Sequence, residues 1–304
     1  MTKKPPARPP KKGTAKKLAS KKPGAKKISV SLPTALSTPL ESMGDYAWLI
    51  YGGPGMGKTT LAGQFPDTFF MMFEPGGKAY ELYQQPVIDW REASAFVDLL
   101  NGPDGQRFST VAVDVVEIAY QMCMEWCVTN KFGGLHPQEM NDRGKSWSDV
   151  RHEFAAFIVA LMNLPQGLIF LSHVRDEKIQ RRDGTEYDTV RPNVTGQAWG
   201  VIEGLMDFVI HYGMKPDGSG RELIVRPDGY VNAKTRVKHM LHTTTGKPIH
   251  SIDAGTTEEE AFASLSSAWN GQTEYQLSDG SDIKPPAPPK RKGPKVAKKR
   301  PPKN

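Results

Sequence analysis

The sequence predicts an α/β fold: a mostly parallel sheet with helices on both faces, antiparallel edge hairpins, and a disordered basic tail at each end. Three observations predict it. Short apolar runs alternate with stretches of helical apolar spacing. The first run leads directly into a glycine-rich turn and a helical segment. Charge is sharply partitioned along the chain. The 304 residues hold 40 Lys and Arg against 33 Asp and Glu, a formal net of +7. Residues 1–27 carry eleven cations and residues 284–304 carry nine, with no acid in either. Residues 28–283 therefore keep 20 cations and all 33 acids, a net of −13.

The elements follow in order. Residues 28–45 are a polar, Pro- and Ser-containing lead-in. Residues 46–51 (YAWLIY) read as a buried strand, and 59–65 as a helix. Residues 68–73 are a second strand, 86–90 a weaker third, and 91–100 a helix. Residues 110–114 form a strand before a helix over 115–129. In 146–164 the apolar residues Trp147, Val150, Phe154, Phe157, Ile158, Leu161 and Met162 recur at helical spacing, and 167–171 is again a strand. Strands over 206–212, 221–226 and 230–232 are separated by Pro216-Asp217-Gly218 and Pro227-Asp228-Gly229, which predict hairpin turns. A last helix starts at Thr256 or Thr257, paired with Glu259 or Glu260 in a capping box.

Composition excludes several classes. No apolar run approaches the roughly 18 residues of a membrane span. The basic N-terminus has no apolar segment after it, so it is not a secretory signal. Two cysteines cannot build a disulfide framework, which predicts an intracellular, cytoplasmic protein. The tails cannot bury apolar area against their chain entropy, and their like charges repel. Their Lys and Arg suit a nucleic-acid backbone, where each cation near a phosphate releases counterions; a solubilising role is the simpler reading. Residues 290–299 also match a nuclear-localisation pattern, as many short basic runs do.

The strongest motif is Gly52-Gly53-Pro54-Gly55-Met56-Gly57-Lys58-Thr59, followed by Thr60. It fits G-x-x-x-x-G-K-[ST] at every fixed position, after a strand and before a helix. Glycines let backbone N–H groups turn inward around phosphate oxygens. The following helix adds the positive end of its dipole. Lys58 can reach the β- and γ-phosphates, and the Thr59 hydroxyl can ligate Mg²⁺. Asp114 ends the apolar strand 110–114, where open parallel sheets place ligands, and is the expected acid on the Mg²⁺ side. Its simpler reading is an N-cap for the next helix. Hydrolysis needs an acid to polarise water. Val115 occupies the position directly after Asp114, so the choice lies between Glu74, preferred, and Glu117. Ser172 and His173, ending the strand 167–171, are placed to sense the γ-phosphate or are merely strand-end polar residues. Lys234 and Arg236, two apart, point the same way in a strand and could reach a phosphate in their own or a neighbouring subunit. The guanine-reading Asn-Lys-x-Asp motif is absent, which favours ATP.

Weaker signals surround these. Cys123, Cys127 and His136 could be metal ligands, but two cysteines four apart on a helix are more often packed thiols. Trp126, Phe132 and Trp147 could stack bases, with core packing as the default. Residues 175–187, with Lys178, Arg181 and Arg182, are a candidate DNA-contacting loop or a solvated hairpin.

Taken together, these residues resemble the RecA-like P-loop ATPases of bacteriophages, related to RecA and RadA recombinases and grouped with phage single-strand annealing proteins. The resemblance spans about residues 44–240. It rests on residues 52–60 with Phe65-Pro66-Asp67, Phe73-Glu74-Pro75-Gly76-Gly77, Val113-Asp114, Gly144-Lys145-Ser146-Trp147, Leu171-Ser172-His173-Val174 and Ala233-Lys234-Thr235-Arg236. It implies a RecA-type ATPase domain over 28–270, ATP and Mg²⁺, and single-stranded DNA as a partner in phage recombination, annealing or replication. It also implies a homo-oligomer or filament, Glu74 as the water-polarising acid, and Lys234 and Arg236 as cations acting between subunits. The long basic tails, 1–27 and 271–304, are not part of the resemblance. A nucleotide-switched DNA-binding accessory protein with little turnover is the alternative that Val115 leaves open.

Overall fold

The computed structural model describes residues 32–237, 240–241 and 246–271. The chain divides into two compact units, Met1–Pro39 and Leu40–Asn304. In the first, the described residues 32–39 contain no helix or strand, and Leu32 and Leu36 are exposed. Both basic tails expected from the charge partition lie outside the described residues.

The second unit is built on one mixed sheet. Its strands are β1 (Ala47–Gly52), β2 (Thr68–Met72), β3 (Tyr83–Pro86), β4 (Thr110–Asp114), β5 (Gly167–Gln180), β6 (Glu186–Pro192), β7 (Phe208–Met214), β8 (Arg221–Ile224), β9 (Lys234–Thr235) and β10 (Ser251–Gly255). The order is β10-β8-β7-β1-β5-β4-β2-β3, with β6 on β5 and β9 on β7. From β7 to β3 every neighbouring pair is parallel, while β8, β9, β10 and β6 join antiparallel. The helices are α1 (Lys58–Gly63), α2 (Trp90–Leu100), α3 (Val116–Asn130), α4 (Lys145–Met162), α5 (Gly196–Leu205) and α6 (Glu258–Trp269).

Strands covered on both faces should be apolar throughout. β1 and β4 are buried at every residue. Their side chains divide by alternation. Leu49, Tyr51, Val111, Val113, Leu168 and Phe170 join the core beneath α2, α3, α4 and α5. Trp48, Ile50, Ala112, Ile169 and Leu171 join the core beneath α1 and α6. In the second core Trp48 stacks on Phe208, ring centroids 3.9 Å apart, and its indole donates to the Met43 carbonyl at 2.9 Å. That bond satisfies a polar group with no access to water.

Several expectations need correction. The strand expected at 86–90 lies upstream, at β3. The strand expected at 167–171 continues to Gln180 and folds back as β6, so residues 175–187 are a β-hairpin. The Pro216-Asp217-Gly218 turn does join the hairpin β7–β8, with Gly218 at φ 71°. The 230–232 segment does not pair with β8. It makes a bridge between Val231 and Val190, and the adjacent β9 returns to the start of β7. β8 instead pairs with β10. At α6, Thr257 is the cap: its hydroxyl accepts from the Glu260 N–H, and Glu260 reaches back to the Thr257 N–H.

Candidate functional site

Strand order brings four chain segments together. β1, β5, β4 and β2 are parallel neighbours, so their C-terminal ends open on one side of the sheet. β5 stands between β1 and β4. The strand ending in Asp114 is therefore one place further from β1 than a direct neighbour. The residues after β1, β2 and β4 nonetheless meet, because the loop after β1 crosses the strand ends.

That loop needs its glycines. A side chain at Gly52 would strike the Tyr212 carbonyl of β7. Gly57 sits at φ 86° against the Glu258 carboxylate of α6. Lys58 opens α1 and is buried; its ammonium donates to the Gly52 and Gly53 carbonyls at 3.1 and 3.0 Å. Burial lowers its pKa, opposed by the carboxylates of Asp114, Glu117 and Glu74. The Thr60 hydroxyl donates to the Gly57 carbonyl at 2.9 Å.

The Thr59 hydroxyl donates to Asp114 Oδ2 at 2.7 Å. Asp114 is 2% exposed, and burial raises its pKa while the Thr59 hydrogen bond, Lys58 and His173 oppose the rise and Glu74 adds to it. It does not cap α3, whose N-cap is Val115 with no side-chain bond. A hydroxyl beside a carboxylate is an oxygen donor pair suited to a hard cation such as Mg²⁺. With the glycine loop against Lys58, these residues fit a Mg²⁺-bound nucleotide.

The two candidate acids converge on His173. Register sets His173 opposite Gly52. Glu117 Oε1 accepts from the His173 backbone N–H and lies 2.8 Å from Nδ1. On the other side of the ring, Nε2 is 4.0 Å from Glu74 Oε1. Backbone bonds from Phe73 and Glu74 to the Asp114 carbonyl, 2.7 and 3.4 Å, hold Glu74 there. The Glu74 side chain is 34% exposed and that of Glu117 10%.

Other expected residues lie elsewhere. Ser172 is fully buried and its hydroxyl donates to the His173 carbonyl, so it does not face the site. Lys234 and Arg236 donate to the carbonyls of Glu203 and Gly204 at the end of α5. They do point the same way, but β9 pairs with the start of β7, at Phe208 and Val209. That is the sheet end opposite the phosphate loop, so neither reaches the phosphate site of its own chain. Residues 175–187 hold four cations and four acids. Arg175 lies 3.6 Å from Glu177, which also pairs with Arg191 at 2.7 Å, and Arg181 covers the Tyr187 ring. Of the two readings of this segment, a DNA-contacting loop or a solvated hairpin, the structure forms a hairpin, and its charges balance.

Cys123 and Cys127 are fully buried in the core, whereas His136 packs on Trp147; no three or more His, Cys, Asp or Glu among the described residues are arranged for a metal ion. Phe132 is buried, and Trp126 carries the Lys131 ammonium 5.2 Å over its ring. Sequence reasoning missed Arg221 and Glu258, paired at 2.7 Å behind the phosphate loop. They are 37 residues apart and far from the motif, so no local signal marks them.

A phosphate loop entering α1, with Asp114 on Thr59 across a parallel sheet, defines an α/β P-loop nucleotide-binding protein. The chain belongs to the AAA_24 family of AAA domains, whose profile matches residues 45–237. No curated protein matches it significantly. Among solved structures it is similar to the RadB recombinase, at 13% identity and TM-score 0.35, covering 60% of this chain and 80% of that one. It is also similar to a KaiC-like protein from Pyrococcus horikoshii OT3, at 11% identity and TM-score 0.36, covering 60% and 79%. No described helix is long and apolar enough to cross a membrane.

Proposed function

We propose that this chain is a RecA-like ATPase that binds and hydrolyses Mg²⁺·ATP and acts on single-stranded DNA in phage recombination, annealing or replication. The observation that carries it is the Thr59–Asp114 contact beside Lys58 in the glycine loop. The DNA partner rests on the twenty cations of the two tails, and the phage setting on the sequence resemblance.

The loop N–H groups and Lys58 hold the phosphates, with Lys58 exchanging two carbonyls for phosphate oxygens. Thr59 and Asp114 hold Mg²⁺, which supplies charge neutralisation on the phosphate oxygens. Glu74, the more exposed acid at the mouth, polarises the attacking water. Lys234 and Arg236 cannot serve their own site, so in a homo-oligomer or filament they act on a neighbour's. That role requires them to leave the α5 carbonyls.

Val115, which stands where a catalytic acid could follow Asp114, favours a second reading: a nucleotide-switched accessory protein with little turnover. Nucleotide binding and turnover, with and without single-stranded DNA, separate the two. DNA-stimulated hydrolysis that Lys58→Ala abolishes supports the ATPase. Tight ATP binding with negligible turnover supports the switch, and no binding at all defeats both.

A further inference from the structure

Two walls bracket the phosphate loop, and one side chain joins them. The loop leaves β1 at Gly52, where the Tyr212 carbonyl of β7 occupies the space a side chain would need. It enters α1 at Gly57, where the Glu258 carboxylate does the same. Arg221, the first residue of β8, reaches both walls. Its Nη1 donates to Glu258 Oε1 at 2.7 Å and to the Tyr212 hydroxyl at 3.2 Å. The guanidinium carbon also lies 5.9 Å from the centre of the Tyr212 ring. Tyr212 is fully buried, and the Arg221 and Glu258 side chains are largely so.

The contact matters because of the charge that Glu258 brings. Acids suit a helix N-terminus, and the first turn of α6 has three, Glu258, Glu259 and Glu260. Glu260 closes the capping box, while Glu258 is turned onto the loop. Burial works to raise the Glu258 pKa, but the Arg221 bond outweighs it and holds the carboxyl below its usual value. An ionised carboxylate against this loop repels the phosphates that the loop is built to surround. Partial burial leaves little solvent to screen that repulsion. A guanidinium bonded to the carboxylate cancels most of its field.

We propose that Arg221 is a positioning residue for the nucleotide, one that neutralises Glu258 beside the phosphate loop while Tyr212 fixes its guanidinium in place. Arg221 acts through Glu258 and not by touching phosphate. The inference rests on the nucleotide-binding reading of the loop and is independent of turnover.

Equilibrium binding of Mg²⁺·ATP to the full-length protein, beside thermal unfolding, tests it. Arg221→Met removes the charge and should raise the Kd about tenfold. Arg221→Gln is a second neutral variant, able still to donate to Glu258 and keep the fold where Arg221→Met does not, and it should weaken binding likewise. Arg221→Lys keeps the charge and should stay within about threefold of the wild type. Glu258→Gln alone should bind ATP at least as tightly as the wild type. The separating variant combines Arg221→Met with Glu258→Gln. With no acid left to neutralise, its Kd should return to within about threefold of the wild type, even where its Tm stays low. A purely structural role would leave the double variant as weak as Arg221→Met. That result, or wild-type affinity in folded Arg221→Met, overturns the proposal. A wild type that binds no ATP defeats the nucleotide reading itself, and the proposal with it.

Discussion

Glu74 and Glu117 are both close to His173, but their surroundings give them different work. Glu117 holds the backbone and ring of His173 with one oxygen, and a carboxylate committed in this way is a poor base for a mobile water. Glu74 touches the ring only at 4.0 Å and keeps a third of its side chain open. Glu74→Gln should therefore lower kcat by about 10²-fold or more, the usual range for losing a general base, with ATP binding nearly unchanged. Single-turnover hydrolysis beside equilibrium ATP binding checks this, and turnover surviving in Glu74→Gln would refute it. His211 carries a separate prediction. Burial pushes its pKa down from 6.5 to about 4, with Asp228 opposing. The unfolded chain takes up the proton first as pH falls, so His211 contributes its stability fully above pH 6.5 and loses it on descent towards pH 4. The loss is at most about 3 kcal/mol. His211→Phe should flatten the fall in Tm between pH 7 and pH 5.

Elements whose environment matches their local pattern were legible in the sequence. The strand 110–114 carries Val-Ala-Val between Thr110 and Asp114, is buried throughout and appears with the expected bounds. The start of α6 was legible because its capping box is local, and Thr257→Ala should cost about 1 kcal/mol. For a domain of this size that lowers Tm by about 2–4 °C, measurable by thermal unfolding. The continuation of β5 was not legible. Beyond Val174 it leaves the core, and its residues, four of them charged in succession, alternate between half-buried and exposed. Such a strand is held by pairing with β6, not by an apolar face. β9 escaped for the opposite reason: it is only two residues long and depends on the start of β7, twenty-five positions upstream. The site followed the same division. The phosphate loop and Asp114 are marked by local motif and strand end. The burial of Ser172, the turn of Lys234 and Arg236 towards α5, and the Glu117–His173 bond arise from tertiary contacts between distant segments.

At the scale of the whole molecule, the charge partition decides where a polyanion can bind. Residues 28–283 carry −13, and four of the cations near the strand ends and hairpin that could relieve that locally are engaged. Arg175 and Arg191 lie beside Glu177, while Lys234 and Arg236 are turned onto the end of α5. A long phosphate backbone therefore meets net repulsion over the body and attraction from the twenty tail cations, of which none has an acid within its own segment. Tail binding of this kind is driven by counterion release, so it reads no sequence and weakens steeply with salt. Removing residues 1–27 and 284–304 should lower affinity for single-stranded DNA and flatten the plot of log K against log salt. The slope should fall by about 0.7 for each phosphate that the tails no longer neutralise. Removing one tail should give an intermediate slope, because the tails contribute as separate charge clusters. Nucleotide binding, which depends on the loop, Thr59 and Asp114, should survive both deletions. An unchanged salt slope in the doubly truncated chain would move the DNA interface onto the body and leave the tails as solubilising segments.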